Sequence, residues 1–272
     1  MKYKYIIFEK KLCMKNTTLL FFSFFCFFIF FSCGDENLKS YPDLEFDNHK
    51  GLLPSEYIQS KIDKNTGNKI IITTSMQYDN LNRLIRVKSS ISDSITDTQI
   101  INYNESNGKV YTVTTESTNG TYLYTYEYTN PGIILEHRSF KTNAPSGYNE
   151  IEPYTRTLTV SGNKLIKIDD PKESKISLCK YDQNGNLIQL DTNQYNYDIL
   201  KGIMSNVKTP NWLFAAFEGN FPFTYNLVNN IIVDNKGITY NYEYDKKLHP
   251  EYPIKIIMNN KEEIFIKYTV AK

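Results

Sequence analysis

Tyr181-Asp-Gln-Asn-Gly-Asn-Leu-Ile-Gln-Leu190 reads as one strand ending, a tight polar turn, and a second strand beginning. Asp, Asn and Gly supply the turn, including the positive φ that tight hairpins demand, and the apolar residues resume after it. Tyr78-Asp-Asn-Leu-Asn-Arg-Leu-Ile-Arg-Val87 repeats the pattern almost position for position. Tyr103-Asn-Glu-Ser-Asn-Gly-Lys-Val110 is a third instance. Tyr126-Glu-Tyr-Thr-Asn-Pro-Gly-Ile-Ile-Leu135 and Val160-Ser-Gly-Asn-Lys-Leu-Ile-Lys-Ile168 are looser ones, and Tyr242-Glu-Tyr-Asp-Lys-Lys-Leu-His-Pro250 is a sixth.

Between these turns lie arms of period two. In Thr121-Tyr-Leu-Tyr-Thr-Tyr-Glu-Tyr128, Tyr122, Tyr124, Tyr126 and Tyr128 fall on one face, and Leu123, Thr125 and Glu127 on the other. Evenly spaced hairpins of this kind predict an all-β chain, an antiparallel meander. So long a sheet must curl into a curved sheet or a flattened barrel, because open edges invite aggregation. Composition agrees. The 272 residues include 22 Tyr, 30 Ile and 29 Asn but only 4 Ala, so strand and turn formers dominate and a helical bundle is excluded.

One segment departs from period two: Thr209-Pro-Asn-Trp-Leu-Phe-Ala-Ala-Phe-Glu-Gly-Asn220. Thr209 suits a cap, Pro210 the first helical position and Gly219 the end. A two-turn apolar helix near 211–218 is expected, acting as a plug at one end of the sheet. The alternative reading makes this end a ligand pocket built from Trp212, Phe217, Phe221 and Phe223.

The N-terminus reads as an address. Leu19–Phe31 is thirteen residues without a charge, too short to span a bilayer core of about 30 Å and the length of a signal-peptide apolar region. The stretch from Met14 to Cys33 is by itself a complete export signal, so translation is expected to start at Met14, the alternative being a long n-region. Residues 1–32 are the expected signal peptide, and Cys33 the expected lipidation site, after a lipobox with Phe30 and Phe31 in place of its usual Leu and small residue. The alternative is an ordinary cleaved signal with Cys33 incidental. Residues 33–54 form the expected anchor and tether, and 55–272 a single β domain.

Without residues 1–32 the chain carries 26 basic and 29 acidic side chains. It has no polybasic patch for nucleic acid. Only Cys179 remains beside the anchor, which leaves no intramolecular disulfide; it sits in an alternating strand and reads as a buried thiol.

Searching for chemistry finds little. His49, His137 and His249 lack zinc-site spacing. GxSxG, GxxxxGK[ST] and GxGxxG are absent. The alternation of Asp43, Glu45, Asp47 and Asn48 lacks the spacing of a calcium loop and reads as a solvated tether. Asp169-Asp170-Pro171 reads as a turn. No cofactor, metal site or catalytic residue is expected.

The Tyr-Asp motifs at 181 and 78 look like the YD-type repeats of RHS proteins. The whole chain resembles the YD-repeat-like lipoproteins of unknown function in Bacteroidota, which share the signal, the lipidated cysteine, these hairpins and a late segment like Lys201-Gly-Ile-Met-Ser-Asn-Val-Lys-Thr-Pro-Asn-Trp212. The resemblance covers roughly residues 70–272. It implies an all-β curved or flattened-barrel fold and transfers no catalytic residues. Gly34, Asp35 and Glu36, directly after Cys33, resemble the export signal that sends such lipoproteins to the cell surface. The expected function is a lipid-anchored, non-catalytic binding or structural module on the outer membrane, with a membrane contact through the anchor and a protein or glycan partner. A carrier of a hydrophobic ligand inside a barrel and a glycan-directed hydrolase are the alternatives.

Overall fold

The computed structural model describes residues 51–62, 67–92, 94–143, 151–217, 221–246, 250–259 and 261–272. Cys33, Gly34, Asp35 and Glu36, and the expected signal and tether up to residue 50, lie outside the described residues, as does Gly219.

The chain forms β1 (Leu52–Ile62), β2 (Lys69–Tyr78), β3 (Leu84–Ile91), β4 (Ser94–Tyr103), β5 (Val110–Ser117), β6 (Gly120–Asn130), β7 (Ile133–Thr142), β8 (Ile151–Ser161), β9 (Lys164–Asp170), β10 (Lys175–Tyr181), β11 (Leu187–Leu190) and β12 (Asn193–Gln194). Then come β13 (Asn196–Lys201), α1 (Asn211–Ala216), β14 (Asn229–Val233), β15 (Tyr240–Tyr244), β16 (Pro253–Met258) and β17 (Glu262–Val270). Strands β12 back to β1, then β17, β16 and β15, make one antiparallel sheet of 15 strands; β13 and β14 pair separately. The expected all-β meander, a curved sheet with one short helix, is the fold observed. Its first strand begins at Leu52, with Leu52, Leu53 and Pro54 buried, so the ordered domain starts earlier than residue 55.

Consecutive strands pair because their turns fold on themselves. In the turn after Tyr78, Asp79 Oδ1 accepts the N–H groups of Leu81 and Arg83, both at 2.9 Å. In the turn after Tyr181, Asp182 Oδ1 accepts Gly185 and Asn186 N–H at 2.8 Å. Asn82 and Gly185, each three residues after the Asp, hold the positive φ, 61° and 98°. The same device recurs in a seventh turn outside the six motifs. There Asp234 accepts Lys236 and Ile238 N–H, and Gly237 takes φ 72°. Val233 stands where five of the six motifs have Tyr, as Val160 does in the remaining one.

Three motif tyrosines, and Tyr268 in β17 outside the motifs, share a task. Tyr78, Tyr103, Tyr128 and Tyr268 each donate a hydrogen bond to a carbonyl on the adjacent strand: Pro54, Leu84, Val110 and Pro253, at 2.7–3.1 Å. Each phenol buries its ring on the inner face and ties two strands together at the Tyr-Asp end of the sheet. Burial pushes the Tyr128 phenol up to about 12, despite its bond to Val110.

The ladder does not close: β12 and β15 are its two edges. Side chains span the gap through the β13–β14 ribbon. Tyr197 in β13 donates to Leu187 O in β11 at 2.8 Å, and Tyr242 in β15 donates to Ile231 O in β14 at 2.6 Å. Asn186 Nδ2 meets Asn229 Oδ1 at 2.8 Å, and Val233 forms a lone bridge to Thr239.

From this ribbon residues 202–228 cross the inner face. Gly202 opens the crossing, where a Cβ would collide with the Asn226 carbonyl. Ile203, Met204 and Val207 are buried, Asn206 Nδ2 donates to Leu52 O at 2.9 Å, and Trp212 N–H donates to Asn163 O at 3.0 Å. Trp212–Phe217 are all buried. The helix spans Asn211–Ala216, shorter than expected, and Pro210 occupies its N-cap position with no side-chain cap. Thr209 does not cap it. Its hydroxyl is taken by Leu84 N–H and Tyr103 OH, which lie beneath it in the sheet. Asp169 and Asp170 end β9 rather than forming a turn, which starts at Pro171. Three residues of the expected sixth motif, Lys247, Leu248 and His249, lie outside the described residues.

Candidate functional site

Period two puts every second residue of β1–β8 on the inner face, and register sorts that face into rows. Near the Tyr-Asp end the rows are apolar: Leu84, Ile101, Val110, Val113, Tyr126, Ile134 and Leu158 are buried against the crossing segment. Near the other end they turn polar and aromatic. Tyr57 pairs with Thr74, Thr74 with Ser89, Ser89 with Asp97 and Asp97 with Ser117. One row deeper, Val87 pairs with Gln99, Gln99 with Thr115, Thr115 with Tyr122 and Tyr122 with Phe140.

A charged belt separates the two ends. Glu136 is fully buried, and Arg156 meets its Oε1 through Nη2 at 2.9 Å; Arg138 reaches the same oxygen. Arg156 also donates to the Ala216 carbonyl at 3.1 Å, at the C-terminal end of α1. That places a cation where the last helix carbonyls lack partners. Arg138 Nη1 donates to Tyr154 OH at 3.2 Å. Burial pulls the Arg138 guanidinium down, but Glu136 beside it outweighs this and holds it above its ordinary value. The belt is a structural lock: both guanidiniums converge on Oε1 of Glu136 and Arg156 also meets the helix end, while Glu136 Oε2 stays buried without a hydrogen-bond partner among the described residues.

Beyond the belt the plug stops short and a cleft of about 430 Å³ opens between the polar rows and the turn at Phe221-Pro222. Five aromatic rings line it: Tyr57, Tyr122, Tyr124, Phe217 and Phe221. Val87, Ser89, Asp97, Gln99 and Thr115 form its floor. The rings brace one another, with Tyr124 and Phe217 centroids 4.8 Å apart, Phe217 and Phe221 4.7 Å apart, and Tyr122 against Phe140 at 4.3 Å. Phe217 and Phe221 are 3% and 2% exposed, whereas Tyr122 is 37% exposed, so the floor is fixed and the rim is open. Asp97 makes no hydrogen bond or ion pair among the described residues. That volume falls in the range of small-molecule sites, which combine apolar walls with a few convergent polar groups.

The four residues expected to build one pocket do not meet in one. Phe217 and Phe221 line this cleft. Phe221 and Phe223 line a neighbouring hollow of about 260 Å³ with Tyr240, Tyr242 and Ile264. Trp212 lies at the opposite end, in a groove of about 600 Å³ with Lys109, Tyr128 and Pro131. Trp212 packs edge-on to Tyr126 at 5.3 Å and is 4% exposed, which is the plug role. The separation arises from the crossing segment. It enters near Trp212 and the helix carries Phe217 to the other side, so the helix's two aromatic ends face opposite ends of the sheet. Sequence reasoning missed Tyr57, Asp97, Gln99 and Tyr122. The alternation placed Tyr122 on a face, but nothing local says which strands become neighbours.

No family model matches the sequence, and a search of curated proteins finds no match. Among solved structures the chain is similar to a porin-like protein from Bacteroides uniformis. The two are 13% identical over 80% of this chain and 96% of that one, with a TM-score of 0.42.

Proposed function

We propose that the chain is a lipid-anchored, non-catalytic binding module of the outer membrane, displayed at the cell surface, with the aromatic cleft as its ligand site. The cleft carries this reading: five aromatic rings and a carboxylate with no partner among the described residues, open to solvent. The anchor rests on the sequence, where the apolar run ends at Ser32-Cys33 and acidic Asp35-Glu36 come directly after Gly34. The likeness of the hairpin motifs to those of YD-repeat lipoproteins supports the same placement.

A carrier would need a closed apolar cavity. Here residues 203–217 fill the apolar rows and the cleft opens outward. A glycan hydrolase would need two facing carboxylates, and Asp97 is the one acidic side chain among the described residues that line the cleft.

Anchoring and binding are tested separately. Metabolic labelling with a fatty-acid analogue should mark the wild type and leave the Cys33→Ala variant unlabelled. Protease added to intact cells should degrade the wild type; full protection places it on the periplasmic leaflet and removes the surface part of the reading. Ligand binding is read by saturation-transfer NMR on the full chain with a panel of small cations, neutral sugars and aromatic acids. Failure of the whole panel to contact the Tyr122 region overturns the binding role.

A further inference from the structure

We infer that the cleft takes an organic cation, an alkylated or quaternary ammonium group, with Asp97 as its counter-ion; this rests on the cleft being the ligand site. Three observations carry it. First, Tyr57, Tyr122, Tyr124, Phe217 and Phe221 surround the space, and aromatic faces attract cations through their quadrupole while excluding strongly hydrated ones. Second, the lining is chemically one-sided. It holds the Asp97 carboxylate and hydroxyl and amide groups, and no Lys, Arg or His among the described residues. An anion would find rings and a negative charge and nothing to neutralise it.

Third, the Asp97 carboxylate has no partner among the described residues. Most other carboxylates on this sheet have a partner: Asp79 pairs with Arg83, Glu136 with Arg156, Asp191 with Lys175, Glu263 with Lys255. Asp97 faces Ser89 and Ser117 in the ladder and bonds to neither. One guanidinium, Arg138, sits over a ring of the cleft. It lies 5.2 Å from the Tyr124 centroid but is held by Glu136 and Tyr154 and is not part of the lining. Tyr124 is thus already used as a cation platform from the belt side. A primary ammonium would keep its water; a methylated one loses little hydration on entering an aromatic cage and suits an open site of this kind.

Choline and its uncharged isostere 3,3-dimethylbutan-1-ol share shape and differ in charge. Both are titrated against the full chain in an uncharged polyoxyethylene detergent, by saturation-transfer NMR and calorimetry. Choline should bind saturably and about tenfold more tightly than the isostere. Asp97→Asn should cut that difference severalfold, the rings retaining part of it, while leaving the melting temperature unchanged, since the Asp97 carboxylate supports no other group among the described residues. Tyr122→Leu should weaken choline and keep the fold, because Tyr122 stands at the open rim. Equal binding of choline and the isostere overturns the cation assignment. So does preference for a neutral sugar or an aromatic acid, and in both cases the cleft remains a ligand site. Binding of no probe overturns both readings.

Discussion

The hydroxyl of Thr209 accepts the backbone N–H of Leu84 at 2.7 Å, across 125 residues of chain. Leu84 opens β3 at a register shift, where the ladder leaves its N–H without a strand partner. Tyr103 OH lies 2.8 Å from the same hydroxyl and 3.0 Å from Leu84 O. One threonine thus joins the crossing segment to two strands and to the phenol that ties them.

Thr209→Val should therefore cost about 1–3 kcal/mol, because the isosteric side chain leaves a buried N–H unsatisfied. Tyr103→Phe should cost less, since it removes a donor and leaves the Leu84 carbonyl room for other partners. Denaturant midpoints of the two variants check the order. A neutral Thr209→Val would mean that the crossing segment is not anchored there.

Trp212→Ala and Phe217→Ala should each cost about 3–5 kcal/mol, the usual range for truncating a buried aromatic. Both should lower the melting temperature by several degrees. Wild-type melting in both would make the helix dispensable to the fold and assign this end to ligand binding instead.

Arg156→Ala should be among the most damaging single changes, about 3–5 kcal/mol, because it takes one of two guanidiniums from the fully buried Glu136, leaving it to the half-buried Arg138, and frees the Ala216 carbonyl. The double variant Glu136→Leu/Arg156→Met removes both charges with similar volume and should be more stable than Arg156→Ala. Thermal melts decide it; a double variant worse than the single would show that the pair stabilises beyond mutual neutralisation.

Alkaline pH should unfold the protein cooperatively. Burial raises the Tyr128 and Tyr244 phenols to about 12 and drives Tyr78, Tyr103, Tyr242 and Tyr268 higher still, from an unfolded value of 10.0. The unfolded chain binds fewer protons than the folded one above that value. The stability is complete below pH 10 and is lost as pH rises past it. Tyrosinate absorbance should show an early phase from exposed rings and a late phase that coincides with loss of strand signal by circular dichroism. A single phase near pH 10 with the fold intact would contradict the burial of these phenols.

The hairpins were legible because their cause is local. Asp182 and Gly185 make the same turn wherever the chain goes, and period two fixes that Tyr122, Tyr124, Tyr126 and Tyr128 share a face. The turn at Asp234–Gly237 obeys the same chemistry and was equally legible in Val233-Asp-Asn-Lys-Gly237, but the sequence reading passed over it. The helix was visible as a break in period and starts at Asn211 as expected, yet its cap was misassigned. Thr209 has the chemistry of a cap, and a local reading cannot know that Leu84 and Tyr103 compete for its hydroxyl.

By itself, then, the sequence determined the strands, their turns and the presence of one apolar helix, because each rests on contacts within a few residues. The tertiary structure decided the rest. Which carbonyl each tyrosine ties down, the Glu136–Arg156 pair, the side-chain span between β11 and β15, and the meeting of Tyr57, Asp97, Tyr122 and Phe221 at one cleft all join residues far apart in sequence. Such contacts depend on how a sheet of 15 strands curls and on where residues 202–228 cross it, and no local propensity encodes either.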